Sequence, residues 1–143
     1  MIHITNRVTI HATATQVWQM IRDFGGIIDW LPGIRGCRVS GQGVGAIRHI
    51  TYTDGFQAEE RLESVDEAHQ SLRYTILTVT AFADACFIMS VQELNGHCCE
   101  FVWTCYFTPQ GIPVTEAKAL MANALAQGTV GLQLFFEQSV ARV

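Results

Sequence analysis

The sequence predicts an α+β fold: a seven-stranded antiparallel sheet packed on one long C-terminal helix, with two short helices after the first strand. Two features of the chain point to it. Between residues 35 and 108, apolar and polar side chains alternate with a period of two, as half-buried strands require. From 113 to 143 the period lengthens, and Ala117, Leu120, Met121, Ala124, Leu125, Gly128, Leu132, Phe135 and Phe136 recur at helical spacing after the start signals Pro113 and Thr115. No other helical pattern is comparably long, so this helix must lie across the sheet for either surface to hide its apolar side.

The elements follow in order. Ile2, Ile4, Val8 and Ile10 alternate with His3, Thr5, Arg7 and Thr9, giving a first strand with even positions inward. Residues 13–22 read as a short helix burying Val17, Trp18 and Ile21, and 24–30 as a second helical turn stopped by Pro32. Strands come next at 35–40, 45–53 and 57–65. In the last of these Gln57, Glu59, Arg61 and Glu63 face solvent, so Glu60 is the only charge on the inward side. A three-residue turn, Asp54-Gly55-Phe56, would set Tyr52 opposite Ala58, Ile50 opposite Glu60 and Arg48 opposite Leu62. All six then lie on the inner face, and a slip of one residue would turn them outward. Residues 70–78 place Leu72, Tyr74 and Ile76 inward, and 83–94 place Ala85, Phe87, Met89 and Val91 inward.

At the last strand, 98–108, two rules conflict. Asn95-Gly96 is a strong signal for a two-residue hairpin turn with positive φ at both positions. That turn pairs Leu94 with His97, Met89 with Val102, Phe87 with Thr104 and Ala85 with Tyr106, and it brings Glu100 inside. It sends Phe101, Trp103 and Phe107 outward beside Ile88, with Cys86 facing Cys105. Periodicity alone would put those aromatics inside, and a bulge could reverse part of the strand. Following the turn, the outer sheet face is an apolar stripe of Ile88, Phe101, Trp103 and Phe107, which predicts a homo-oligomer covering it.

The totals bound the function. At 143 residues the chain reads as a single domain, 1–143. Charged residues are 15% of it, against roughly 25% in an average domain. The apolar share is 49%, a surplus that must line a denser core, an internal cavity or a subunit interface. Gly128 and Gly131 sit mid-helix, where each costs ~1 kcal/mol relative to Ala; close helix–sheet packing or room for a ligand would explain them. Net charge −4 argues against a nucleic-acid partner. No apolar run reaches membrane-spanning length and no signal peptide precedes the first strand, so stable membrane insertion is not expected. Five cysteines without framework spacing fit a reducing cytoplasm. No metal or cofactor is expected: Cys98 and Cys99 are adjacent and point to opposite strand faces, the histidines are scattered singly, and the glycines of 41–45 form a turn.

Several short motifs look familiar: Val17-Trp18, Trp30-Leu31-Pro32, Gly43-Val44-Gly45-Ala46-Ile47-Arg48, and Glu60-Arg61-Leu62-Glu63 ahead of Asp66. With the element order, they resemble the helix-grip fold of the START-like (SRPBCC) superfamily, over nearly the whole chain. Within it the similarity is to the bacterial polyketide cyclase/dehydrase and lipid-transport group. Plant abscisic-acid receptors and birch-pollen-allergen proteins are more distant. The resemblance implies a curved sheet gripping the last helix, with a hydrophobic cavity between them. It implies binding of a lipid, hormone, polyketide or terpenoid, and in a minority of members catalysis on it. Two departures bear on the hormone receptors. Their Ser-Gly-Leu-Pro gate is replaced by Thr53-Asp54-Gly55-Phe56, and their cavity lysine has no counterpart, since the sole lysine is Lys118 in the first turn of the last helix. A hormone-receptor role and lysine-dependent chemistry are therefore not expected.

The expected ligand-binding residues are Ile50, Tyr52, Phe56, Ala58, Glu60, Tyr74, Ile76, Phe87, Met89, Val102, Thr104, Met121, Ala124, Leu125 and Gly128, with Phe56 a lid at the entrance. Glu60 has three readings: a structural one, as an ion pair with Arg48 near the cavity mouth or a carboxylate hydrated by trapped waters; a ligand anchor; or a general acid or base whose charged form the apolar surroundings disfavour. Tyr52, Tyr74 and Tyr106 read as core residues before catalytic ones. Two functions follow. One is a protein that carries or sequesters a small hydrophobic molecule. The other is a cyclase or dehydratase in which Glu60 or a tyrosine such as Tyr74 moves a proton.

Overall fold

The computed structural model describes residues 1–141, with side chains to Glu137; residues 142–143, which the helical pattern also covered, lie outside it. The elements are β1 (Ile2–Ile10), α1 (Ala14–Arg22), a 3₁₀ helix (Phe24–Asp29), β2 (Ile34–Ser40), β3 (Ile47–Tyr52), β4 (Gln57–Asp66), β5 (Ser71–Ile76), β6 (Phe82–Glu93), β7 (Cys99–Pro109) and α2 (Val114–Ala141). The strands form one antiparallel sheet in the order β1-β7-β6-β5-β4-β3-β2. β1 and β2 are therefore opposite edges, and the two short helices carry the chain from one to the other. Thr13 and Gln16 form a reciprocal capping box that starts α1. Register shifts at Ile34/Gly36, Leu62/Ser64 and Ala83/Cys86 bend the sheet into the curved form that the helix-grip fold requires.

α2 lies on the inner face against β1 and β7. Its buried stripe is Ala117, Met121, Leu125, Thr129, Leu132 and Phe136. Asn6, the polar residue among the inward positions of β1, accepts the Thr129 hydroxyl (2.6 Å), and Gln133 Nε2 donates to the Thr9 carbonyl (3.0 Å). These two bonds fix the axial position of an otherwise apolar contact. Leu120 and Ala124, part of the predicted stripe, are exposed. By length and composition the segment Val114–Glu137 would suffice to cross a bilayer, which corrects the expectation that nothing in the chain approaches that length; here one side of it is packed on the sheet.

Two hairpins differ from the sequence expectation. At β3–β4 a three-residue loop forms, but over Thr53-Asp54-Gly55, closed by the Tyr52 N–H on the Phe56 carbonyl (2.9 Å). Gly55 takes φ +91°, the left-handed position such a loop needs at its last residue. The pairing moves by two, so Ile50 faces Ala58 and Arg48 faces Glu60. A shift of two keeps every side chain on its expected face and exchanges only the partners.

At β6–β7 the shift is one, and it reverses the strand. Neither Asn95 nor Gly96 adopts the positive φ that the two-residue turn demands. Instead the Asn95 carboxamide oxygen accepts the N–H groups of His97 (2.7 Å) and Cys98 (3.0 Å), and Leu94 N–H reaches the Cys98 carbonyl. A three-residue loop results, with Met89 opposite Trp103 and Phe87 opposite Cys105. Phe101, Trp103, Cys105 and Phe107 are buried on the inner face. Glu100, Val102, Thr104 and Tyr106 face outward. The reason is magnitude: at ~25 cal/mol per Å², three aromatics of 150–250 Å² outweigh a turn preference by several kcal/mol. The proposed apolar stripe therefore does not exist. Ile88 remains outside, among residues such as Thr104, which contacts Thr5, and Glu100, which pairs with Arg7. Cys86 faces Tyr106 and not Cys105, and the five cysteines are free.

Candidate functional site

Between the sheet and α2 lies a cavity of about 520 Å³. Tyr52, Ala58, Glu60, Tyr74, Ile76, Phe87 and Trp103 line it from the sheet. Met121, Ala124, Leu125, Gln127 and Gly128 line it from α2, and Ile27, Leu31 and Pro32 from the segment after α1. Phe56, Asp54 and Ala124 are exposed and mark the mouth. Of the expected ligand-binding residues, Ile50 and Met89 point inward but are packed in the core away from the space. Val102 and Thr104 fall on the opposite face, because the reversed register exchanges them for Trp103 and Cys105. Trp103 joins the lining, where the two-residue turn would have turned it outward. The alternation Phe101, Trp103, Cys105, Phe107 carried the signal, and the turn rule overrode it. Thr80 and Phe82, also on the lining, come from the loop before β6 and its first residue, where the bulge at Asp84 (φ +54°) keeps both Phe82 and Ala85 inward.

One wall is aromatic. Tyr74 stacks on Phe87 with centroids 4.9 Å apart and rings within 4° of parallel, and Trp103 stands 6.3 Å beyond Phe87. Burial, then the nearby Glu60 charge, pushes the Tyr74 phenol well above its ordinary value. The same two causes raise Tyr52 to about 12. Both hydroxyls stay protonated near neutrality. Burial likewise raises the thiols of Cys105 to about 12 and Cys99 to about 11, so neither is poised as a nucleophile.

The floor is built around Glu60. Its Oε1 accepts from Arg48 Nε at 2.7 Å, and both side chains are buried. Arg48 Nη1 donates to the Phe24 carbonyl (3.1 Å), and the guanidinium lies 4.0 Å from the Phe24 ring centroid and 4.5 Å from that of Tyr74. Glu60 is thus not an isolated carboxylate in an apolar cavity; of its three sequence readings, the Arg48 pair is the one the structure contains. Phe24 and Arg48 form a layer behind Glu60, with Tyr74 beside them on the cavity wall. On the far side of that layer is a second recess, of about 560 Å³, between the end of α1 and residues 41–44, with Arg22, Asp23 and Glu67 on its rim.

Residues 1–134 match the family of polyketide cyclase/dehydrase and lipid-transport proteins. The chain belongs to that family. It is 39% identical to the abscisic acid receptor PYL2 of Arabidopsis thaliana over 79 residues, 52% of this chain and only 40% of the receptor's length. Among solved structures it is similar to XoxI of Bacillus cereus, at 28% identity and a TM-score of 0.88, covering 95% of this chain and 96% of that one. A START superfamily protein from Mycobacterium smegmatis superposes with a TM-score of 0.81 over 95% of this chain and 97% of its own, at 16% identity, which speaks to fold alone.

In this cyclase/lipid-transport family member, Gly128 serves helix packing. A Cβ there would lie 2.4 Å from the Trp103 ring, and one at Gly131 would lie 2.4 Å from the Trp30 carbonyl oxygen. Replacing Gly128 by Ala gains ~1 kcal/mol of helix propensity. It also forces a buried indole to move, an overpacking cost of ~1–3 kcal/mol. Gly128→Ala is expected to lower the melting temperature, read by circular dichroism.

Proposed function

We propose that the protein binds a small hydrophobic molecule in the cavity between sheet and α2, and carries or sequesters it in a reducing cytoplasm. The observation that supports this best is the space itself: about 520 Å³, within the roughly 300–1,000 Å³ of small-molecule sites, lined mainly by apolar and aromatic side chains. Membership of the family and the fold shared with a START protein point the same way. Cyclase or dehydratase chemistry through Glu60 or Tyr74 is the weaker reading. Arg48 occupies one Glu60 oxygen, and a phenol raised as far as that of Tyr74 is a poor base near neutral pH. Nucleic acid is not a proposed partner, and no oligomer is proposed, since the face that argued for one is largely polar.

The test has two parts. Native mass spectrometry of freshly purified protein should find a co-purified small molecule. After its removal, the neutral dye N-phenyl-1-naphthylamine should brighten on binding. Ala124 lies exposed at the mouth, so Ala124→Trp should obstruct entry and weaken the dye by at least about tenfold, or ~1.4 kcal/mol, with an unchanged melting temperature. Equal dye affinity in the two proteins would place binding elsewhere.

A further inference from the structure

We infer that the cavity selects ligands ending in a hydrogen-bond donor, a hydroxyl or a protonated amine, seats that donor on Glu60, and rejects ligands ending in a carboxylate. This goes one step past the proposal that the cavity is the binding site, and rests on it.

The first ground is the free side of the carboxylate. Arg48 takes Oε1; Oε2 has no hydrogen bond among the described residues, although Glu60 lines the cavity and is only 6% exposed. A carboxylate has about four acceptor positions, so a buried one facing an apolar space with an oxygen unused is a place prepared for a donor. The neighbouring phenols of Tyr52 and Tyr74 make no hydrogen bond to it either.

The second ground is the charge of the lining. Among the described residues it includes two carboxylates, Glu60 at the floor and Asp54 at the mouth, and no lysine, arginine or histidine. Lys118 is exposed and off the lining. Arg48 is off the lining: its Nε donates to Glu60 and its Nη1 to the Phe24 carbonyl, and its guanidinium lies between the rings of Phe24 and Tyr74 with Nη2 buried and unpartnered. A ligand carboxylate would meet Glu60 with no cation of its own, in surroundings where like charges repel far more strongly than in water. Because Arg48 already balances Glu60, a neutral alcohol suffices. An ammonium would gain further from the charge of the Glu60 carboxylate itself.

Four naphthalenes that share one ring system and differ in their ends test this by displacement of N-phenyl-1-naphthylamine: 2-(1-naphthyl)ethanol, 2-(1-naphthyl)ethylamine, 1-ethylnaphthalene and the carboxylate 1-naphthaleneacetate. The alcohol or the amine should bind at least about tenfold tighter than 1-ethylnaphthalene, and the acetate at least about tenfold weaker. Which of the two donors leads tells whether the group is neutral or cationic; either supports the inference. Glu60→Gln alone would strand Arg48, so the control is the double variant R48L/E60L. There the spread, measured against the variant's own affinity for 1-ethylnaphthalene, should shrink to under about threefold. Equal binding of all four by the wild type, tightest binding of the acetate, or a preference surviving in R48L/E60L would each overturn it. Failure of the wild type to bind the dye at all would overturn the cavity proposal first, and this one with it.

Discussion

Arg48→Leu should lower the unfolding free energy by about 3–5 kcal/mol, measured by urea denaturation, while the double variant R48L/E60L should recover most of that loss. The single change leaves the buried Glu60 without its 2.7 Å partner and also removes the bond to the Phe24 carbonyl. The double change removes both charges and leaves two aliphatic chains between Phe24, Tyr74 and Ile76. A buried ion pair contributes little net stability over apolar residues of similar volume, but breaking one half of it is costly. If the single variant were as stable as the wild type, the pair would have to be hydrated. Glu60 would then belong to the mouth and not to the floor.

Trp103→Ala should cost a similar amount, about 3–5 kcal/mol, through lost burial and the cavity left behind. The indole is 4% exposed, sits under Gly128 and contacts Trp30 edge-on with centroids 5.7 Å apart. Trp103→Glu should be worse, since it buries an unpaired charge, and the variant should fail to fold. The register set by a two-residue Asn95-Gly96 turn makes the opposite forecast: a folded protein with a new surface charge. Thermal unfolding of these two variants therefore distinguishes the registers without a further structure.

What could be read from the chain divides along physical lines. Periodicity gave the seven strands, both short helices and α2 to within a few residues, because one-sided burial leaves a direct imprint at spacings of two and 3.6. It also put Glu60, Tyr74, Ile76 and Met121 in one place, since each lies on the inward side of its own element. Pairing between strands was less legible. At β3–β4 the glycine at the third loop position decided the register, and the resulting shift of two left the faces unharmed. At β6–β7 the same kind of decision turned on whether Asn95 used its backbone or its carboxamide, and a shift of one exchanged Val102 and Thr104 for Trp103 and Cys105. The ion pair was visible only as an alternative, because Arg48 and Glu60 meet through that register. The contribution of Ile27, Leu31 and Pro32 to the cavity was hidden for another reason. It depends on how a 3₁₀ helix swings over the sheet, which no local pattern records.

The central claim is that a hydrophobic ligand enters the space between the sheet and α2. Methyl-labelled protein titrated with N-phenyl-1-naphthylamine and followed by NMR tests it most directly, because the two recesses carry different methyl groups. Binding as proposed shifts Ile27, Leu31, Ile76, Met121 and Leu125, which line the first, and leaves Val39, Val44 and Val65, which line the second, in place. Shifts confined to those three valines would contradict it.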